Sequence, residues 1–411
     1  AALADGAVAV ASPRGTLESA FALRELVGPE RLCAATSDLE ARTMARIAAL
    51  LAEGRAASLS DLERADTALV LGEDLMGTAP RAALALRQTA RNAALRLAEE
   101  KGVPRWLDSA ARVAGEGRRS AIALVTALPD ALDEIAARPI RRDPAAIAAF
   151  GHAVADALEG RKAGEEAQAV AAMLQAGEAP AVIAGFGTGR ADVVEAAGRI
   201  AAALGERAQR LFFPPEANSL GLARITDRGL ERALAHLNSG DARTLVVAEA
   251  DLYERADAAL VDRLFAAAAR VIVLDALPTR TTESADILLP VANMAEAAGT
   301  LVNHEGRAQR RFAAVAGGRP AAWRVIGQLF PEPASRESLD DLLAAMAAAL
   351  PDLAPAIDAA PGAATRTPLG RIARAPWRYS GRTAHDLAGR VPEGTPQADP
   401  DSPLAFSMEG A

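Results

Sequence analysis

The residues that could do chemistry in this 411-residue chain are few and widely spaced. Gly185, Gly187 and Gly189 follow the apolar run Ala181-Val-Ile-Ala and precede a stretch of helical periodicity. Backbone N–H groups at such a strand-to-helix turn can receive a phosphate. The spacing is G-x-G-x-G, however, and the third glycine of a dinucleotide fingerprint would fall at position 190, which is Arg190. A tight turn that needs positive φ accounts for the same glycines without a ligand. Ligands in open parallel sheets bind outside the carboxyl ends of the strands. At those tips the chain carries Glu73 and Asp74, then Glu249 and Asp251, then Asp275. A carboxylate about 4 Å from a phosphate costs on the order of 1–4 kcal/mol unless a cation intervenes, so a crevice lined this way resists a pyrophosphate. The competing reading is that these acids cap helices or pair with Arg81, Arg87 or Arg255.

Other chemistries find no residues. His152, His236, His304 and His385 form no i, i+3 or i, i+4 pair for a metal. Cys33 is the single cysteine, which removes disulfide frameworks, thiolate zinc sites and iron–sulfur clusters from this chain. No G-x-S-x-G elbow is present, and Lys101 and Lys162, the two lysines, do not follow glycine, so a P-loop is excluded. The densest polar signal runs from Thr281 to Gln309, TTESADILLPVANMAEAAGTLVNHEGRAQ. There Gly299 and Gly306 bracket a turn bearing Asn303, Glu305 and Arg307, groups that can hold either a polar ligand or neighbouring backbone. Arg307 and Glu305 are the expected carriers of its essential hydrogen bonds.

The elements that must position these residues alternate: a short aliphatic run, a turn, then a helical stretch. This predicts an α/β fold with mostly parallel sheets and flanking helices. Strands are expected at Val8–Ala11, Leu69–Leu71, Ile122–Val125, Ala181–Ala184, Leu245–Ala248, Val271–Leu274 and Asp286–Leu289, with Thr16 and Pro80 opening helices. Pro144 and the glycines from 160 to 164 place a domain boundary nearby, giving a first α/β domain at 1–150 and a second at 151–350. The last 61 residues, 351–411, hold nine of the 24 prolines and read as an extended tail, anchored by Trp377 and Tyr379.

Composition sets the outer limits. With 51% apolar residues each domain can bury a core, and a net charge of -8 offers no basic field for nucleic acid. No apolar run approaches the roughly 20 residues of a membrane span, and the N-terminus lacks a secretion signal, so no direct membrane insertion is expected.

The Thr281–Gln309 segment resembles the molybdopterin-oxidoreductase superfamily, in which a strand like ADVVLP is followed by an acid, Gly-Thr and Asn-x-Glu-Gly-Arg-x-Gln. Asp286 to Pro290, Glu296, Gly299, Thr300, Asn303, Glu305, Gly306, Arg307 and Gln309 fit in order. Within it the chain is most similar to the family of G subunits of bacterial NADH:quinone oxidoreductase, respiratory complex I, through SPRGTLESAFAL, VLGEDLMGTAPRAALALRQTAR, ANSLGL, WRYSGRTA and FSMEG. The resemblance implies a Rossmann-like nucleotide-binding domain inserted in or packed on another. It implies other peripheral-arm subunits as partners, on the cytoplasmic side of the bacterial inner membrane. Iron–sulfur clusters belong to a region upstream, so this chain is expected to be the middle of a longer subunit with no cofactor or catalytic residue of its own. Molybdenum enzymes of the superfamily carry Gly-x-Asn-Pro where this chain has Gly72-Glu73-Asp74-Leu75. With the acidic strand tips, that departure points to a lost molybdopterin and a vestigial crevice whose candidate residues are Glu73, Asp74, Gly185, Gly187, Asn303, Glu305 and Arg307. The rival expectations are a working molybdenum-cofactor oxidoreductase such as a formate dehydrogenase, or a nucleotide-binding module using Gly185–Gly189.

Overall fold

The computed structural model describes Leu3, residues 6–330, residues 338–362 and Thr365. Its strands in chain order are β1 (Ala7–Ala11), β2 (Leu32–Ala34), β3 (Thr67–Leu71), β4 (Ala121–Thr126), β5 (Arg138–Arg141), β6 (Pro180–Gly185), β7 (Gln209–Phe213), β8 (Thr244–Ala248), β9 (Arg270–Asp275), β10 (Ile287–Pro290), β11 (Gly299–Val302) and β12 (Ala308–Arg311). They form two five-stranded parallel sheets, ordered β10-β9-β8-β1-β2 and β5-β4-β3-β6-β7, and the antiparallel hairpin β11–β12. The central strands read as unbroken apolar runs because helices cover both faces: every residue of β1, β3, β6 and β8 is buried. The helices begin where short polar side chains can cap them. Thr16 accepts the Ser19 N–H at 3.2 Å to open α1 (Leu17–Val27), and Ser37 accepts the Glu40 N–H at 3.1 Å to open α2 (Asp38–Ala52).

The expected division into 1–150 and 151–350 does not follow the sheets. β6 pairs with β3, Leu69 opposite Val182, and β8 pairs with β1, Val8 opposite Leu245. The β3–β7 lobe is therefore an insertion between β2 and β8, as the resemblance implied. The apparent boundary lies inside the connection from β5 to β6. Pro144 is the first residue of the helix Pro144–Leu158, and residues 160–164 link it to the helix Glu165–Ala176. The tail also starts later than expected. Pro351–Leu353 forms a 3-10 turn and Ala354–Asp358 a short helix, with Leu353 and Ile357 buried, since proline fits the first turn of a helix. Trp377 and Tyr379 lie outside the described residues.

One apolar cluster runs through both lobes. It joins Leu69 and Leu71 of β3 to Val246 and Ala248 of β8, through α2 and the helix Ala191–Leu204. Where those two helices meet, Gly198 leaves room for Leu50: a Cβ at 198 would stand 2.7 Å from Leu50 Cδ2.

Candidate functional site: two sheet crevices and a hairpin

Each sheet has a point where the connections leave in opposite directions, and a crevice opens there at the carboxyl ends of the strands. In the inserted lobe the order of strands along the chain is 3-2-1-4-5, so the crevice lies between β3 and β6. Gly72, at φ 73, turns the chain sharply out of β3 and directs Glu73 into it. The Glu73 side chain is 2% exposed. Its Oε2 accepts the Gly187 N–H at 3.0 Å and its Oε1 accepts the Thr78 hydroxyl at 2.8 Å. A Cβ on Gly185 would collide with Glu73 Oε2, and one on Gly187 would lie 2.9 Å from Glu73 Oε1. The glycine turn thus cradles an anion that the chain itself supplies. Burial pushes the Glu73 carboxyl above the ordinary carboxylate range, against the hydrogen bonds from Gly187 and Thr78.

The other lobe has the order 2-1-3-4-5, which places its crevice between β1 and β8. Glu249, just past β8, adopts the left-handed region at φ 57 while its N–H donates to Leu274 O at 2.8 Å. A non-glycine residue holds that conformation only when its surroundings impose it. Its side chain reaches the β1–α1 turn beside Ser19, and a Cβ on Gly15 would meet Glu249 Oε2 at 3.4 Å. Glu18 of α1 is fully buried and accepts the Thr300 N–H at 2.9 Å. Burial raises both carboxyls above their usual range and lowers the Arg311 guanidinium that faces them.

Of the remaining acids at the strand tips, Asp74 and Asp251 cap helical turns, while Asp275 closes a local turn on its own following N–H groups. Asp74 accepts the Gly77 N–H at 2.9 Å, Asp275 accepts Ala276 N–H at 2.7 Å, and Asp251 accepts the Thr281 hydroxyl at 2.7 Å. Arg255 pairs with Glu216 at 3.0 Å and Arg87 with Glu134, so neither neutralises a crevice acid.

Asn303, Glu305 and Arg307 come together at the tip of the β11–β12 hairpin. The Asn303 Oδ1 accepts the Glu305 and Arg307 N–H groups, each at 3.0 Å, and makes the turn. Arg307 pairs with Glu305 at 3.0 Å but its side chain is 62% exposed. The backbone hydrogen bonds of the turn thus go to Asn303, while Arg307 and Glu305, the expected carriers, pair with each other. The hairpin also touches both lobes. His304 stacks on Phe213 at the end of β7, 4.9 Å between ring centroids, and Val302 donates to Asn218 at 2.9 Å. Asn218, 1% exposed, also donates to Gly15 O at 2.8 Å and, from its backbone, to Pro13 O at 2.9 Å. Reading by motif missed Asn218 and Glu18, although both lie in quoted stretches, ANSLGL and SPRGTLESAFAL. Their roles need the hairpin's position in space.

No three His, Cys, Asp or Glu side chains among the described residues are arranged to hold a metal ion. Cys33 lies within β2, and burial pushes its thiol up to about 12, so it is inert packing.

Comparison with known proteins decides the family, because the family model for molybdopterin oxidoreductase matches residues 6–321. The chain belongs to the molybdopterin oxidoreductase family. The G subunit of the NADH-quinone oxidoreductase of Pseudomonas fluorescens is 38% identical to this family member over 98% of this chain and 47% of its own length. The corresponding G subunits from Shewanella oneidensis and Escherichia coli strain K12 are 37% and 34% identical, over 99% and 98% of this chain and 48% and 47% of theirs. The chain thus spans about half the length of the curated relatives it matches. The X-ray structure of the formyltransferase/hydrolase complex from Methylorubrum extorquens in complex with methylofuran has a TM-score of 0.50 over 78% of this molybdopterin oxidoreductase chain and 89% of that one, at 14% identity. At that identity the likeness concerns the fold alone.

Proposed function

We propose that the chain is the molybdopterin-oxidoreductase-like portion of the G subunit of an NADH-quinone oxidoreductase, and that it acts as a scaffold holding no redox centre itself. It supports NADH-to-quinone electron transfer by buttressing the cluster-bearing part of the subunit and by contacting other peripheral-arm subunits, on the cytoplasmic face of the membrane. The relatives, similar across nearly the whole chain, support the assignment to that subunit. No helix among the described residues is long and apolar enough to cross a membrane, which accords with peripheral attachment.

The observation that carries the scaffold reading is Glu73. A pterin dinucleotide is a polyanion, and the fold family would seat its phosphates at turns like Gly185–Gly189. Here that turn already donates to a buried carboxylate, and its glycines are shaped around that side chain. In the other sheet Glu249, from the far side of the switch point, reaches the turn beyond β1 in the same way. The residues present do not fit the group, because the turn that would receive its phosphates is filled by a carboxylate. Metal and pterin analysis of the full-length subunit purified from its native host tests this. Molybdenum and pterin well below stoichiometry are expected. One molybdenum per subunit would overturn the scaffold reading in favour of a molybdenum-cofactor oxidoreductase.

A further inference from the structure

The charges of the chain are unevenly placed. Residues 81–119 hold nine of its 45 basic side chains but four of its 53 acidic ones, so a cationic stretch sits in a protein of net charge -8. Arg87 and Arg96 are paired with Glu134 and Asp66 from outside the stretch. Asp108 holds both Arg91, at 2.5 Å, and Arg112, at 2.7 Å. Glu116 is taken by Lys101, with Arg118 left beside it, and Arg119 donates to the carbonyl of Glu134 instead of to a carboxylate. Asp108 and Glu116 thus serve two cations each, and the guanidinium groups keep donors that no acid among the described residues fills.

The same stretch exposes apolar side chains. The helix Asp108–Ala114 lies on the helix Pro80–Glu100 through Ala111, which is buried, and at its end through Gly115, where a Cβ would stand 2.7 Å from Ala94 Cβ. Val113 comes two residues after Ala111, about 200° around the helix, and so faces away. It is 80% exposed. Trp106, just ahead of the helix, is 78% exposed, and Leu107 beside it is exposed as well. Beyond Gly115 the chain turns at once, the Arg118 N–H donating to Gly115 O at 3.0 Å, which keeps Arg118 at the end of this helix. Single exposed apolar side chains are ordinary. A tryptophan set among arginines that outnumber their acids has instead the composition of the centre of a protein interface.

We propose that the face carrying Trp106, Val113, Arg91, Arg112 and Arg118 docks another protein of the assembly, one that presents carboxylates around an apolar hollow receiving Trp106. A carboxylate brought up to Arg91 and Arg112 turns a group of two cations and one anion into a balanced one, and the forked guanidinium groups suit bidentate pairing. A protein surface fits this face better than anionic lipid does. Glu99, Asp108 and Glu116 stand among the basic side chains, and a layer of lipid phosphates would repel them. A partner of fixed shape places its acids beside the cations alone. This docking face deepens the scaffold reading, and rests on it for the existence of neighbouring subunits.

The test is a footprint of the intact complex purified from its native host, with tryptophans oxidised by hydroxyl radicals and located by mass spectrometry. Trp323, which is buried, is the internal standard for a shielded ring. In the complex Trp106 should be oxidised as slowly as Trp323, although its own fold leaves it open. Oxidation of Trp106 at the rate of free tryptophan would overturn the proposal, as would a full-length subunit that purifies with no stoichiometric companion. A benzophenone photo-crosslinker in place of Val113 should join the subunit to a companion chain at a stretch where acids outnumber basic residues. Cross-links to a neutral or basic stretch, or within the subunit itself, would count against it equally. Arg112→Glu combined with Arg118→Glu should open Trp106 to oxidation in the complex and leave the subunit's melting temperature within about 2 °C of the parent's, because exposed ion pairs contribute little. Continued protection of Trp106 in that variant would overturn the acidic partner. Binding to phosphatidylserine vesicles that shields Trp106 would assign the face to lipid instead. Molybdenum analysis tests the filled crevice and the footprint tests this face, so either reading can fail while the other stands.

Discussion

Glu73 is a side chain whose burial works against the fold and whose hydrogen bonds offset that cost, so its variants separate charge from shape. Glu73→Gln keeps the shape: the amide oxygen can accept from Gly187, and the amide N–H can donate to the Thr78 hydroxyl, which itself donates to Asp74 O. The sign follows from the raised carboxyl. A group that holds its proton more tightly when folded favours folding below the unfolded pKa, and that advantage is lost as pH rises through the folded value. Glu73→Gln should therefore leave stability almost unchanged near pH 4–5 and raise it relative to the parent at pH 8, as read by chemical denaturation. Glu73→Ala should cost about 1–3 kcal/mol, because it empties the crevice and leaves the Gly187 N–H without its acceptor. Gly187 gives the complementary test. Gly187→Ala should destabilise the parent by about 1–3 kcal/mol, since the new methyl group meets Glu73. In the Glu73→Ala background most of that penalty should vanish. Additive effects in that double-mutant cycle would show that the glycine serves something other than the carboxylate.

The hairpin is one of the elements that touch both lobes, and its hydrogen bonds are unequal. Asn303→Ala removes the acceptor of two backbone N–H groups at the turn and should cost about 1 kcal/mol or more. Arg307→Ala removes an exposed ion pair and should stay within about 0.5 kcal/mol of the parent in thermal denaturation. Asn218→Ala strands the Val302 N–H and the Gly15 carbonyl in a fully buried site, and a loss of about 2–4 kcal/mol is expected. At this scale much was legible in advance. The strands at Leu69–Leu71, Ile122–Val125 and Leu245–Ala248, the Thr16 cap and the Pro80 helix start are local patterns, each visible within a few residues. The motif from Asp286 to Gln309 marked the hairpin as well. What sequence could not supply is which strand lies beside which, because parallel partners such as β1 and β8 are more than 200 residues apart. The division at residue 150 erred there, and Asn218 and Glu18 were overlooked for the same reason: their partners lie on a hairpin distant in the chain. Glu73 was flagged by its position at a strand tip, but its inward rotamer follows from the Gly72 turn and from the space left by two glycines beyond β6.

The two lobes are held by an apolar cluster that does not respect the boundary between them. Leu50 of α2 belongs to the lobe of β1 and β8, whereas Gly198 belongs to the inserted lobe, and they pack where the side chain of one fills the missing side chain of the other. If the two sheets share one core, they should unfold together, since losing either exposes the apolar face of the other. Gly198→Leu is the perturbation that tests this, because the added side chain must displace Leu50 or push α2 away. Overpacking of that kind should cost about 1–3 kcal/mol, despite the gain in helix propensity from removing a glycine. The prediction concerns the form of the loss as well as its size. A single unfolding transition should persist, shifted to lower temperature, and amide exchange should accelerate in β1 and β8 as well as in β3 and β6. Two separated transitions, with only the β3–β7 lobe shifted, would mean that the insertion folds as an independent unit and that the shared cluster contributes little to cooperativity. The proposed scaffold role depends on the first outcome, since a body that held neighbouring subunits in place would have to resist deformation across both lobes, and Leu50 against Gly198 is one of the contacts that join them.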